Sequence, residues 1–439
     1  MVVESGLPFK FYFENVDKFG RILPNNLSQK EIDDYNLISS NEYTWDIHVQ
    51  NGIGKKLIAT FFKWIKEKNY IAKNIDEANV YLCESFTPAE FYNNLFTENM
   101  SKQVYDKIKK GEMIVIFNWF SEPLYDPAFN ENLERICFEY GFDVSKFFVF
   151  TSANNIKNES KIQHISDHFF LKTSAECLKY FLQNKYFKPN TFDYVCEIVN
   201  HDVFQKQKEK HFLCLNRSVD RPHRFGLGMF LERYNLWDKG EFTFLSCDIK
   251  KEDEALIEAF DIKTASEYSE YKDLFFNKIP IQIDTNFLMN DTQLYNFGTS
   301  QIYYKPIYDT TAINIVTETT FQKNNVFISE KTFHPVINLQ PFIMFASNGQ
   351  LQEFRNLGFK TFGHIIDESY DNEENNHKRF KMVCDEILRL SKMSIDKINE
   401  LFLSCKDICI YNRNHLLSFT KYDVFQNSLE KLNKICYGI

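Results

Sequence analysis

Short, wholly apolar runs alternate along this chain with stretches whose apolar residues recur about every three to four positions. Runs of the first kind are 9–13, 78–83 (ANVYLC), 113–119 (MIVIFNW) and 146–151 (KFFVFT). They are strand-length and carry no polar face, which predicts strands buried on both sides, as in parallel sheets. Helical spacing appears in 55–66 and 130–140. Together these predict one doubly wound unit over residues 1–155. A less regular stretch, 156–210, contains helical 174–184, ends in the charged run 206–210 and is expected to be a linker and crossover. The pattern then restarts with strand 212–216 (FLCLN), helix 225–234, strand 242–247 and helix 252–260. After 261–308, which shows no clear period, come strand 312–317 (AINIVT), a helix opening near Ser329, strand 341–346 (PFIMFA), helix 350–357 and a short strand 360–362. The second unit is expected over 211–375, with the acidic stretch 367–374 as a solvated loop and 376–439 as a helical tail. The fold class is therefore α/β, with two Rossmann-like domains and a cleft between them. Ligands of such sheets bind beyond the carboxyl ends of the strands.

Composition narrows the function classes. At 439 residues the chain is long enough for two or three domains, which excludes a single small binding module. Its 44% hydrophobic and 25% charged residues exclude global disorder. The net charge of −9 means that a polyanionic partner must meet a local basic patch. Lys55, Lys56, Lys102, Lys107, Lys109 and Lys110 offer one such face, or a merely solvated one. The ten cysteines are scattered through apolar runs with no CxxC pair, which reads as reduced, buried thiols and a cytoplasmic location. Cys405 and Cys409 lie one helical turn apart, but no second ligand pair is nearby, so no metal site is expected. The N-terminus has no signal-peptide pattern and no run of 18 apolar residues occurs, so no membrane span is expected.

Two segments carry chemistry. In 313–347 (INIVTETTFQKNNVFISEKTFHPVINLQPFIMFAS) a buried strand delivers Glu318 into a loop. Ser329 is a good N-cap for the following helix, whose first turn holds Glu330 and Lys331. Backbone N–H groups there point at any anion, and Lys331 adds a point charge. A diphosphate would meet both a helix dipole and a cation, with Glu330 available as an acceptor for ribose hydroxyls. The same residues also suit a helix start with no ligand, since acids favour that end. In the second segment, 213–224 (LCLNRSVDRPHR), an apolar strand runs into Arg217, Arg221, His223 and Arg224. Guanidinium forks match phosphate oxygens, so this loop is a second candidate phosphate contact, or else a solvated basic loop. Gly226 and Gly228 form a GxG without the third glycine of a dinucleotide fingerprint, inside a helical pattern. Close helix packing explains them better. No Walker A sequence occurs.

The 313–347 segment resembles the nucleotide-sugar signature of the α-1,3-fucosyltransferase family and related GT-B glycosyltransferases. It has an acidic residue after a strand (Glu318), a spacer, then Ser329-Glu330-Lys331 opening an apolar helix, and an apolar strand. The resemblance implies that Glu330 holds the donor ribose and Lys331 its phosphate, with Glu318 near the sugar. Arginine after the first strand of the second domain is a further shared feature. Thr319 stands where that family has Asn, so fucose is not carried over. NRSVDRPHR and ISEKTFHPVINLQPFIM also resemble phage-encoded glycosyltransferases, which would place the enzyme in host cytoplasm.

The resemblance implies a glycosyltransferase taking a nucleotide-diphosphate sugar as co-substrate, with no other cofactor. No Asp-x-Asp follows a strand, so the expected mechanism is metal-free, with arginines, Lys331 and a helix N-terminus neutralising the leaving diphosphate. Inverting transfer needs a general base. Glu84, after ANVYLC, and Glu122, after MIVIFNWF, are the favoured candidates, with Asp46 and His48 behind them. Trp119, Phe120 and Tyr125 flank Glu122 and suit stacking on a sugar or an unpaired base. The acceptor expected by analogy is DNA, at 5-hydroxymethylcytosine, with a bacterial glycan as the alternative. A non-catalytic nucleotide- or DNA-binding protein on the same fold is the competing class.

Overall fold

The computed structural model describes residues 7–12, 70, 72–83, 101–119, 128–154, 160–184, 197–219, 221–246, 268–281, 305–322, 325–419 and 422–438. The chain divides into two compact units, residues 1–169 with 422–439, and residues 170–421.

In the first unit, strands β1 (Phe11–Tyr12), β2 (Val80–Cys83), β3 (Ile114–Trp119), β4 (Phe147–Thr151) and β5 (Gln163–Ser166) form one parallel sheet in that order. Helix α1 (Lys102–Lys109) precedes β3, and α2 (Ala128–Tyr140) precedes β4. Ser101 caps α1 by accepting from the Val104 amide, and the helix buries Val104 and Ile108. These pack with Phe129, Leu133, Val115, Phe117 and Phe147 into one core. All positions of β4 are buried, as the apolar run requires of a strand covered on both faces.

The chain then runs through α3 (Phe169–Asn184) into the second unit. Its elements are β6 (Lys210–Ser218), α4 (Pro222–Arg233), β7 (Gly240–Ser246), α5 (Lys272–Phe276), α6 (Lys305–Thr310), β8 (Thr311–Thr317), α7 (Glu330–Ile337), β9 (Phe342–Phe345), α8 (Gln350–Asn356), α9 (Asn376–Ser391), α10 (Ile395–Ser404) and α11 (Lys406–Leu416). The strands form a parallel sheet in the order β9-β8-β6-β7. From β6 the chain moves outward to β7, then returns to the other side of β6 to place β8 and β9. The winding direction therefore reverses between β6 and β8. Their register pairs Lys210 with Thr311 and Leu213 with Asn314, and further along the Thr317 hydroxyl still donates to Asn216 Oδ1 at 2.5 Å, so the strands stay side by side. Open α/β sheets bind ligands beyond the carboxyl ends of the strands at such a reversal.

Helix α4 is buried on nearly every side, and its two glycines explain how. A Cβ at Gly226 would lie 2.8 Å from the Phe380 ring, and one at Gly228 only 2.1 Å from the Phe275 ring. The GxG serves close packing, as expected from its position inside the helix.

Several expectations are revised. The unit bounds differ from 1–155, 156–210, 211–375 and 376–439, because β5 falls in the supposed linker and completes the first sheet. That strand buries one residue of four, so it lacks the apolar run that marks the others. The last helix, α12 (Tyr422–Tyr437), belongs with the first unit: Lys431 Nζ donates to the Ser166 carbonyl at 2.6 Å, and the Tyr437 ring lies 6.1 Å from Phe9. Residues 360–362 are not a strand. The Lys360 amide donates to Asn412 Oδ1 (2.8 Å) and the Phe362 amide to Glu368 Oε1 (2.6 Å), so side chains take the place of a ladder. The acidic stretch 367–374 is partly structural, since buried Asp371 accepts from the Leu351 and Gln352 amides (2.8 and 2.9 Å) and so caps α8. The expected helices 55–66 and 252–260 lie outside the described residues. Cys137, Cys177, Cys214, Cys384, Cys405 and Cys409 are buried thiols outside any disulfide. Among the described residues no helix is long and apolar enough to cross a membrane.

Candidate functional site

At the carboxyl ends of β6 and β8 the protein builds a polar knot. Asn216 on β6 exchanges hydrogen bonds with Thr243 on β7, accepting from its hydroxyl and donating to it, at 3.1 and 2.9 Å. Its side-chain oxygen accepts from the Thr317 hydroxyl of β8 at 2.5 Å. Two side chains from the first turn of α4 reach the loop after β8. His223 Nε2 lies 2.8 Å from the Glu318 carbonyl, and Arg224 Nη2 donates to the Thr317 and Glu318 carbonyls, each at 3.3 Å. Burial lowers the His223 pKa well below its usual range, so the ring is neutral and Nε2–H donates. The His223 ring stacks on Phe321 and Phe345, with centroids 5.3 and 5.9 Å away.

Glu318 is fully buried. Its carboxylate accepts from the Ser329 amide (3.1 Å), the Ser329 hydroxyl (2.5 Å), the Thr332 hydroxyl and the Thr319 amide (3.2 Å). A buried charge survives only when hydrogen-bonded in this way. The carboxylate is thereby committed to the start of α7. Ser329 caps that helix as expected, its Oγ accepting from the Lys331 amide at 3.3 Å. The Lys331 ammonium lies 2.7 Å from Glu330 Oε1, 3.4 Å from Ser329 Oγ and 3.5 Å from Thr319 Oγ1. Burial works to raise the Glu330 pKa. The neighbouring Lys331 charge and hydrogen bond outweigh it and hold the carboxyl below the usual range, so the pair is ionised.

A cavity of about 20 Å³ lies beside β8, lined by Leu215, Asn314, Thr317, Lys331, His334 and Tyr308 among others. That is room for about one water molecule. The buried Tyr308 hydroxyl has no protein partner among the described residues. Burial lowers His334 to about 4, so its ring is neutral near pH 7.

Neither a protein-family model nor a curated protein sequence matches the chain. Among solved structures it is similar to a UDP-forming α,α-trehalose-phosphate synthase from Burkholderia xenovorans, at 11% identity over 92% of this chain and 86% of that one, with a TM-score of 0.35. The N-terminal domain of a Candida albicans trehalose-6-phosphate phosphatase matches at 10% identity over 94% and 83%, TM-score 0.36. An E. coli trehalose-6-phosphate protein bound with UDP-2-fluoro glucose matches at 12% over 96% and 92%, TM-score 0.32. Superpositions this loose leave any functional reading resting on the site itself.

Of the residues predicted for donor binding, Arg224, Glu318, Ser329, Glu330 and Lys331 are brought together around the ends of β6 and β8. Arg221 is the half-buried N-cap residue of α4, beside them in sequence. Arg217 lies on β6, and its side chain is outside the described residues. Two placements differ from expectation. His223 is neutral rather than cationic, and Arg224 and His223 spend their donors on the chain's own carbonyls. Glu84, Glu122, Asp46, His48, Phe120, Tyr125, Lys55 and Lys56 lie outside the described residues, as does the side chain of Trp119. Lys102 and Lys109 on α1 and Lys110 just after it are exposed. Lys107 is not part of a free basic face, because its ammonium donates to the carbonyls of Ile75, Asp76 and Ala78 at 2.8, 3.2 and 2.8 Å.

Sequence reasoning missed Asn216, Thr332 and Arg379. Asn216 was visible as the polar residue ending an apolar strand, and Thr332 as a hydroxyl three positions after the N-cap. Arg379 sits in a helix among other charges and carries no local signal.

Proposed function

We propose that this chain is a nucleotide-sugar-dependent glycosyltransferase of the GT-B type, with the donor held by the second unit. The observation that carries the reading is the coincidence, at the winding reversal between β6 and β8, of a capped helix start and the Glu330–Lys331 ion pair. A pyrophosphate there meets the Lys331 ammonium, the amide end of α7 and Arg221 at the start of α4. Glu330, ionised, accepts from ribose hydroxyls. Glu318 acts indirectly, by holding Ser329 and hence the helix start.

In the proposed transfer the acceptor oxygen attacks the anomeric carbon, the sugar–phosphate C–O bond breaks, and the nucleoside diphosphate leaves with the bonding pair. The acceptor proton passes to a carboxylate, Glu84 or Glu122. The developing diphosphate charge is stabilised by fixed cations and amides, with no metal ion required. The acceptor proposed is the hydroxymethyl group of 5-hydroxymethylcytosine in DNA, reached by base flipping, in a cytoplasmic setting. A bacterial glycan is the other acceptor class.

Purified protein is to be incubated with UDP-, GDP-, ADP- and CMP-sugars and sugar release followed. Lys331→Ala should weaken binding of the productive donor by about tenfold or more, as expected for a lost charge-assisted contact. Unchanged affinity overturns the site, and no turnover of any donor favours a non-catalytic nucleotide-binding protein. Nucleoside mass analysis of hydroxymethylcytosine DNA after incubation decides the acceptor. Absence of added sugar mass moves the assignment to a glycan.

A further inference from the structure

Arg379, on α9, is almost wholly buried, and four of its hydrogen bonds reach three separate segments. Nε donates to the Ala346 carbonyl at 3.0 Å, just past the end of β9. Nη2 donates to the Phe321 carbonyl, in the loop after β8, and to Asn376 Oδ1 at 2.7 Å. Nη1 donates to the Glu373 carbonyl at 2.7 Å. The guanidinium carbon also lies 4.4 Å from the centroid of the Phe321 ring. Phe321 in turn stacks on His223, which donates to the Glu318 carbonyl. The Glu318 carboxylate holds Ser329, and Ser329 Oγ contacts Lys331. A continuous set of contacts thus joins a helix remote in sequence to the Lys331 cation. Only a planar fork of donors can hold the carbonyls after two neighbouring strands and still present a face to an aromatic ring.

We infer that Arg379 is a positioning residue for the phosphate-binding end of the site, setting the loop after β8 and through it Ser329 and Lys331. The inference rests on the donor reading above for its functional meaning, but its structural part stands separately. Burial lowers the Arg379 pKa to about 10, so the group stays charged at neutral pH. A matched control exists in Arg413, equally buried, with its pKa lowered to the same value and Nη1 donating to the Val199 carbonyl at 2.7 Å.

The experiment compares Arg379→Lys with Arg413→Lys. Lysine keeps the charge but cannot reproduce the fork. Both variants should lower Tm. Only Arg379→Lys should speed hydrogen exchange of the amides in 317–332, which include the Ser329 and Thr319 donors to Glu318. It should also weaken binding of UDP, GDP, ADP or CMP, whichever the wild type binds, by about tenfold. With a donor that turns over, the change should fall on KM rather than kcat. Should Arg379→Lys not fold, Phe321→Leu removes the ring between the guanidinium and His223 and should act in the same direction. Exchange in 317–332 that matches the Arg413→Lys control overturns the inference. Faster exchange in a protein whose wild type binds no nucleotide keeps the positioning role and defeats the donor reading, so the two failures are distinct.

Discussion

The Glu318 carboxylate offers the sharpest test of how the site is built, because four donors to it are identified among the described residues. It is fully buried and accepts from two hydroxyls and two amides. Hydrogen bonds to a charged acceptor contribute about 1.5–3 kcal/mol each, and a donor left buried without a partner costs about 1–3 kcal/mol. In Glu318→Gln one oxygen becomes an NH2 group and meets N–H or O–H donors that need an acceptor. The remaining oxygen can serve only some of the four. A loss of about 2–4 kcal/mol follows, at the large end for a single substitution. Thr332→Val keeps the side-chain shape and removes one donor, for about 1–2 kcal/mol. Once the carboxylate is gone, Thr332 has lost its charged partner, so the second change should cost less in the Glu318→Gln background. The double variant should fall short of additivity by about 1 kcal/mol or more. Urea unfolding of the four proteins at neutral pH, with midpoints and slopes fitted together, gives the coupling. Additivity within about 0.5 kcal/mol would show that Glu318 and Thr332 do not act as one unit. The account of a helix start held by a buried carboxylate would then fail.

Other expectations concern acid sensitivity and packing. Burial lowers His164 and His334 to about 4 and holds His223 well below its usual range, so all three fold as neutral rings and protonation favours the unfolded chain. Their stabilising contribution is complete above the unfolded histidine pKa and is lost as pH falls below about 6.5, at up to about 1.4 kcal/mol per pH unit for each ring. The urea midpoint should drop between pH 7 and 5, and less steeply in His334→Leu; a flat midpoint contradicts the neutral assignment. Gly228→Ala should destabilise by about 1–3 kcal/mol, since its Cβ would lie 2.1 Å from the Phe275 ring. An unchanged Tm would mean that α4 is not packed as closely as described.

How much of this was legible in the sequence depends on whether the information is local. Strands β3, β4, β6, β8 and β9 could be read because both of their faces are covered, which leaves an uninterrupted apolar run. Strand β5, QHIS, has one buried residue among two half-buried and one exposed, so it carries no apolar run and could not be read. The helix start at Ser329 was legible because capping chemistry is confined to a few adjacent residues, and the structure finds the cap there. What those residues bond to was not legible. The sequence places Glu318 beside the sugar by family likeness, yet its four donors lie one and eleven to fourteen residues downstream, and they turn the carboxylate inward. Arg224 and His223 follow the same rule. Guanidinium and imidazole groups suit phosphate, but here backbone carbonyls after β8, more than ninety residues away, take their donors. Charged groups next to a strand end therefore divide into those that build the site and those that line it. Glu318, His223, Arg224 and Arg379 build it. Glu330 and Lys331, ion-paired at the rim, retain the exposure a ligand requires, with side chains 14% and 18% accessible. The division follows from partner satisfaction: a buried charge must spend its hydrogen-bonding capacity on the protein, and only a partly exposed one has capacity left for a substrate.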